Sequence, residues 1–155
     1  MLTAHPKKWY SWDYSLLDAD GQHLADLGLS SWRDRGTFVL GGAEYRVRRE
    51  GLGGPFLLEH DGSVSARARK TRFFACEFEI EFEGDHYTLT KRSIWSDVVV
   101  LRQGAEEVGT IRHTAWYKRD ARVEMAERLP LVLRAFAVWL ALLLWKREAA
   151  AAEGA

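Results

Sequence analysis

LPLVLRAFAVWLALLLW, residues Leu129 to Trp145, carries a single charge, Arg134, and has no polar face. A helix of this composition must be hidden on every side, in lipid or in protein. Read as a membrane span, its seventeen residues lie at the lower limit of length, Arg134 falls about a third of the way in, and Lys146-Arg147 would anchor a cytoplasmic face. Read as the axis of a soluble domain, it requires the rest of the chain to be a wrapper of matching size. The upstream sequence favours the wrapper.

Before Leu129 there is no long helical period. Short alternating runs broken by Gly or Asp dominate instead. Tyr14 to Leu17 and His23 to Leu27 flank Asp18-Ala19-Asp20-Gly21, and Thr37 to Leu40 and Glu44 to Arg49 flank Gly41-Gly42. Phe56 to Glu59 and Ser63 to Ala68 flank His60-Asp61-Gly62, and Glu77 to Glu83 and His86 to Lys91 flank Gly84-Asp85. Val98 to Arg102 and Val108 to Arg112 flank the turn near Gly104. Each pair predicts a hairpin, and Gly51-Leu52-Gly53-Gly54-Pro55 predicts a wider one.

The hairpins also repeat. Tyr45-x-Val47-x-Arg49 returns 42 residues later as Tyr87-x-Leu89-x-Lys91, and Phe38, Leu40 and Gly42 return as Ile80, Phe82 and Gly84. Trp32, Phe74 and Trp116 keep the same interval, and Gly21, Gly62 and Gly104 nearly keep it. Three units of about four strands make about twelve, too many for an open twisted sheet, and closure removes the edges. Twelve strands about 4.8 Å apart, tilted about 40°, close at a radius of about 12 Å. Inward side chains use about half of that radius, which leaves roughly the 10–12 Å width of a helix. At about 1.5 Å per residue the apolar stretch is about 25 Å long, close to the height of such a barrel. The expected fold is therefore mainly β: one closed antiparallel barrel of about twelve strands, from about residue 9 to 125, around a central hydrophobic C-terminal helix from about 129 to 147. Pro130 suits the first turn of that helix. The tail 148–155 is expected to fray.

Composition sets further bounds. A chain of 155 residues suits one domain with a sizeable core. Seven Trp, seven Phe and five Tyr make that core aromatic. Twenty-two basic and twenty-two acidic residues cancel, so no global field recruits nucleic acid. Cys76 has no partner for an intramolecular disulfide, and MLTAHPKKW has no apolar h-region. A reducing cytoplasm and a monomer are the simplest expectations.

The unit YRVRREGLGGPFLLEHDG, its echo YTLTKRSIWSDVVVLRQG and the terminal LPLVLRAFAVWLALLLW together resemble the Tubby C-terminal superfamily, which includes Tubby-like, LURP-one-related and phospholipid scramblase proteins. The resemblance covers about Tyr14 to Trp145 and lies in pattern and order, with no signature peptide. It implies twelve antiparallel strands around a hydrophobic helix, and binding of phosphoinositide headgroups by basic residues on neighbouring strands. The scramblase-like members' proline-rich and cysteine-rich segments are missing, since this chain has three isolated prolines and one cysteine, so anchoring by acylation is not expected.

The strongest candidate site is basic. Arg46 and Arg48 share one strand face opposite Tyr45 and Val47, and Arg67 and Arg69 share another opposite Ala66 and Ala68. Lys70 is grouped with them, and the small alanines would make room for the helix. Segment 33–72 holds nine basic and five acidic residues, a locally positive surface suited to phosphate headgroups. The plainer alternative is a ladder of exposed ion pairs, because Glu77, Glu79, Glu81 and Glu83 offer an acidic outer face opposite Phe78, Ile80 and Phe82. As a metal cage those glutamates are too widely spaced, about 6.6 Å between residues two apart.

Other signals are slight. Asp18-Ala19-Asp20-Gly21 imitates the start of a calcium loop, but its glycine comes at the fourth place and Leu29 stands where the closing glutamate belongs, so a turn is expected. His5, His23, His60, His86 and His113 are scattered singly, as surface or turn residues. No nucleophile stands with a base in any known motif, so neither an enzyme nor a cofactor is expected. Trp9, Tyr10 and Trp12 beside Lys7 and Lys8 form an aromatic-basic cluster that either touches a bilayer or, more simply, packs as a strand on the barrel. Arg134 is expected to reach the barrel mouth or to pair with a buried acid.

The expected function is a non-enzymatic cytoplasmic module that binds anionic phospholipid headgroups or a membrane-surface partner through Arg46, Arg48, Arg67, Arg69 and Lys70. One alternative is a scramblase-like or membrane-inserted protein that uses the C-terminal helix. The other is a structural interaction domain with no ligand of its own.

Overall fold

Alternation along short runs gives strands wherever one face of the run is apolar. The computed structural model describes residues 1–8, 11–29, 35–71, 77–115 and 118–154. Among them are twelve strands and one helix: β1 (Leu2–Pro6), β2 (Tyr14–Leu17), β3 (His23–Leu29), β4 (Gly36–Leu40), β5 (Ala43–Arg49), β6 (Phe56–His60), β7 (Ser63–Lys70), β8 (Glu77–Phe82), β9 (Asp85–Lys91), β10 (Val99–Gln103), β11 (Glu106–His113), β12 (Ala121–Met125) and α1 (Leu131–Glu153). Each strand pairs antiparallel with its neighbours in sequence, and β1 pairs with β12 to close the barrel. The expected closed barrel around a C-terminal helix is the fold observed.

The repeat has a structural meaning, because 42 residues correspond to four strands. Val47 on β5 and Tyr87 and Leu89 on β9 are buried inside, as are Phe38 and Leu40 on β4 and Ile80 and Phe82 on β8. Gly21, Gly62 and Gly104 sit in the β2–β3, β6–β7 and β10–β11 turns with φ of 81°, 77° and 62°. Side chains other than Asn or Asp resist that conformation, so the glycines recur with the turns. Trp32, Phe74 and Trp116 lie outside the described residues.

Antiparallel order gives the barrel two unlike ends. The tight hairpin turns β2–β3, β4–β5, β6–β7, β8–β9 and β10–β11 share one, here called the hairpin end. The longer connections share the other, the loop end. The chain leaves β12 at the hairpin end, where Arg128 donates to Gln103 at 3.1 Å, and α1 then runs down the axis. Its far end reaches the loop end, where Lys91 at the end of β9 pairs with Glu148 at 2.7 Å.

Within the barrel, Leu133 and every residue from Ala135 to Trp145 are buried. Ala4, Ala25, Ala66, Ala68 and Ala121 point inward and are also buried, leaving room for helical side chains. Trp139 is the largest of the fully buried residues, and its ring meets that of Phe56 edge-on at 6.0 Å. Arg134 is half-buried in the first turns of α1, where its Nε donates to the Leu129 carbonyl at 3.1 Å. No carboxylate pairs with it among the described residues, so the mouth of the barrel, and not a buried acid, accommodates the charge.

Three boundaries differ from expectation. The first strand is Leu2–Pro6 and not a segment near residue 9. Five residues ending in proline carry too little alternation to register alone, and β1 is defined by its pairing with β2 and β12. Trp12 belongs to no strand; it packs half-buried against the core with the Arg119 guanidinium 4.5 Å from its ring. Trp9 and Tyr10 lie outside the described residues. Finally, α1 continues beyond residue 147 to Glu153, because the alanines after Glu148 favour helix and Gly154 closes it with an N–H bond to Ala150 O at 3.1 Å.

Candidate functional site

Arg46 and Arg48 project outward from β5, and Arg67 and Arg69 from β7, all exposed. Strand β6 separates them. Its outward Leu57 stands in register with Arg48 on one side and Arg67 on the other and is only 2% exposed. The apolar stems of flanking arginines can cover such a residue while their charges stay in water.

Lys70 does not belong to this face. It follows Ala66 and Ala68 in the inward phase of β7 and lies half-buried where that strand reaches the loop end. Arg49 is likewise in the inward phase of β5, at the rim, with its guanidinium 5.2 Å from the Phe56 ring and its Nε donating to Gly54 O at 3.1 Å.

Carboxylates accompany the outer arginines. Arg48 Nε meets Glu59 Oε1 at 2.6 Å, Arg67 meets Glu50 at 3.6 Å and Arg46 meets Glu44 at 3.9 Å. The register sets Arg67 opposite Glu81 and Arg69 opposite Glu79, the juxtaposition that a charge ladder requires. Among the described residues, however, Arg69 makes no ion pair within 4.0 Å. Arg67, Arg69, Glu79, Glu81, His86 and Thr88 line an open cleft of about 510 Å³ on the outside of β7 to β9. An anion at Arg69 thus also meets two carboxylates, so the wall offers mixed charge and not a uniform basic patch.

The smaller motifs resolve individually. Asp18 Oδ1 accepts the backbone N–H groups of Asp20 and Gln22, both at 2.9 Å, which makes the sequence a side-chain-stabilised turn. His5 contacts Asp120 at 2.6 Å and His23 contacts Asp26 at 2.9 Å. Hydrogen bonds from Lys7 and His23 hold the Asp26 carboxyl below its ordinary range. His60 stacks on Tyr45 with ring centres 4.6 Å apart. His113 departs from the surface role expected of it: it is half-buried and stacks on Trp145 at 3.9 Å, and burial pushes its pKa down.

Comparison with protein-family models, curated proteins and solved structures finds no match to this chain. Function must therefore be read from the surface. Among the described residues no helix is long and apolar enough to cross a membrane.

Two residues that pattern reading passed over are Ile94 and Trp95. They lie in the β9–β10 loop and are 81% and 91% exposed. They fall between the strands expected over His86 to Lys91 and Val98 to Arg102, where no motif singles them out. What marks them is solvent exposure at one particular end of the barrel, and that follows from strand order.

Proposed function

We propose that this protein is a non-enzymatic, cytoplasmic, monomeric module that binds anionic phospholipid headgroups at a membrane surface, with Arg46, Arg48, Arg67 and Arg69 on the outer wall and Lys70 at the adjoining rim. The observation that carries the reading is Arg69, an exposed guanidinium in the open cleft with no ion pair within 4.0 Å among the described residues. A guanidinium fork suits phosphate oxygens, and the resemblance to Tubby-like proteins points to the same ligand class. The helix takes no part in this reading, since it contacts protein along its apolar length.

Flotation with vesicles that contain or lack anionic lipid tests it. Binding to the anionic vesicles alone, weakened in Arg67→Glu/Arg69→Glu, is expected. Equal binding to both vesicle types, or none to either, contradicts it.

The in-register pairing of Arg67 with Glu81 and Arg69 with Glu79 supports a second reading, a structural interaction domain with no ligand of its own. It predicts that reversing the arginines alters solubility only.

A further inference from the structure

The chain has no net charge, yet its charge is segregated along the barrel axis. The hairpin-end connections carry Asp18, Asp20, Asp61, Glu83 and Glu127 against Arg128. At the loop end, Lys7 and Lys8 precede β2, Arg92 follows β9, Lys118 and Arg119 follow β11, and Lys146 and Arg147 belong to the emerging helix. The loop end also holds Asp13, Glu50, Asp97 and Asp120 and the helix's own Glu148 and Glu153, so it is mixed, but among the described residues its excess is basic where the other end's is acidic. The inward-phase Arg49, Lys70 and Lys91 add to that excess at the rim.

Apolar exposure follows the same axis. Among the described residues, the three most exposed large apolar side chains, Leu52, Ile94 and Trp95, all lie in loop-end connections. These loops are anchored at their bases. Glu50 N–H bonds to Pro55 O at 2.9 Å beneath Leu52, and Arg92 N–H bonds to Val98 O at 2.8 Å beneath Ile94 and Trp95. Trp145 at the end of the buried stretch donates its Nε1 proton to Asp97 O at 3.0 Å, which ties the second loop to α1. The tips are thus held off the barrel and spend their apolar surface on solvent, an arrangement that a binding surface accounts for.

Exposed Trp and Ile among cations match the interfacial layer of an anionic bilayer, where rings and aliphatic side chains enter the headgroup boundary and Lys and Arg remain with the phosphates. An acidic opposite end, repelled by the same surface, orients the approach. We infer that the loop end is the membrane-docking face: Leu52, Ile94 and Trp95 enter the interface and the hairpin end points away. This inference rests on the membrane-surface reading above and adds to its outer-wall arginines, on strands β5 and β7 that end at the loop end, the part of the molecule that enters the interface.

The test uses the full chain, phosphatidylcholine vesicles with and without about a quarter phosphatidylserine, and the variants Ile94→Ser/Trp95→Ser and Arg67→Glu/Arg69→Glu, with thermal unfolding to verify that each is folded. The inference predicts at least a tenfold loss of binding to the anionic vesicles in the tip variant. In a Cys76→Ser background, a polarity-sensitive fluorophore at Trp95→Cys shifts to the blue on binding, and one at Asp61→Cys does not. If the wild type binds anionic vesicles and the tip variant binds equally well, the docking face is wrong while the membrane reading survives. If the wild type binds no vesicle, both fall. Head-to-tail self-association without lipid, abolished by the tip substitutions, would assign the loop end to a second copy and overturn the inference.

Discussion

The indole Nε1 of Trp139 donates a hydrogen bond to the carbonyl oxygen of Gly28 at 2.9 Å, tying the middle of α1 to β3. Gly36, across the ladder on β4, makes this possible. A methyl group there would stand 2.7 Å from that nitrogen and 1.9 Å from Gly28 O, closer than packed atoms approach. Gly36→Ala should therefore destabilise the protein by about 1–3 kcal/mol through overpacking. Trp139→Phe leaves the carbonyl without its donor and should cost about 1–3 kcal/mol. Urea unfolding of both variants measures these losses, and a Gly36→Ala protein as stable as the wild type would refute the close packing.

His113 should make stability pH-dependent. Burial lowers its folded pKa and outweighs Asp97 and Glu148, which favour the proton. As pH falls through the ordinary value of about 6.5, the unfolded chain binds the proton first. The stability contribution is thus complete above about 6.5 and lost below it. Midpoints of denaturation across pH 5 to 8 should decline on the acid side, and His113→Gln should flatten the decline. Asp26, whose carboxyl is held low, acts in a separate and more acidic window.

The pair Lys91–Glu148 joins the end of β9 to the last turns of α1 at 2.7 Å, with the lysine side chain only 14% exposed. Removing the carboxylate leaves a largely covered ammonium group without its partner. Glu148→Ala should cost about 1–2 kcal/mol, more than an exposed pair is worth. Hydrogen exchange of amides from Lys146 to Ala152 should quicken in the same variant, and unchanged exchange would show that the pair does not anchor the helix.

Much of this fold was legible because turns and strand faces are written locally. Asp18-x-Asp20-Gly21 and the glycines near residues 42, 62, 84 and 104 mark turns that need left-handed backbone or a side-chain acceptor, and they appear where expected. Alternation also put Ala66 and Ala68 inside. Carried two residues further, it would have removed Lys70 from the outer patch. Strand β1 was hidden because five residues show too little alternation alone, and its pairing with β2 and with the distant β12 defines it. The stacking of His113 on Trp145, and the placement of Leu52, Ile94 and Trp95 at one end, depend on strand order around a closed barrel, to which no local pattern refers.

The central claim is that the most hydrophobic stretch of the chain is the core of the fold and not a segment that enters a bilayer. Leu140, fully buried at the middle of α1, tests it most directly. Leu140→Asp would bury an unpaired charge at the barrel axis. Urea denaturation followed by near-ultraviolet circular dichroism should show no cooperative transition for this variant under conditions where the wild type unfolds cooperatively. A variant that keeps the wild-type signal and a cooperative transition would mean that the barrel stands without its axial helix, and would contradict the account.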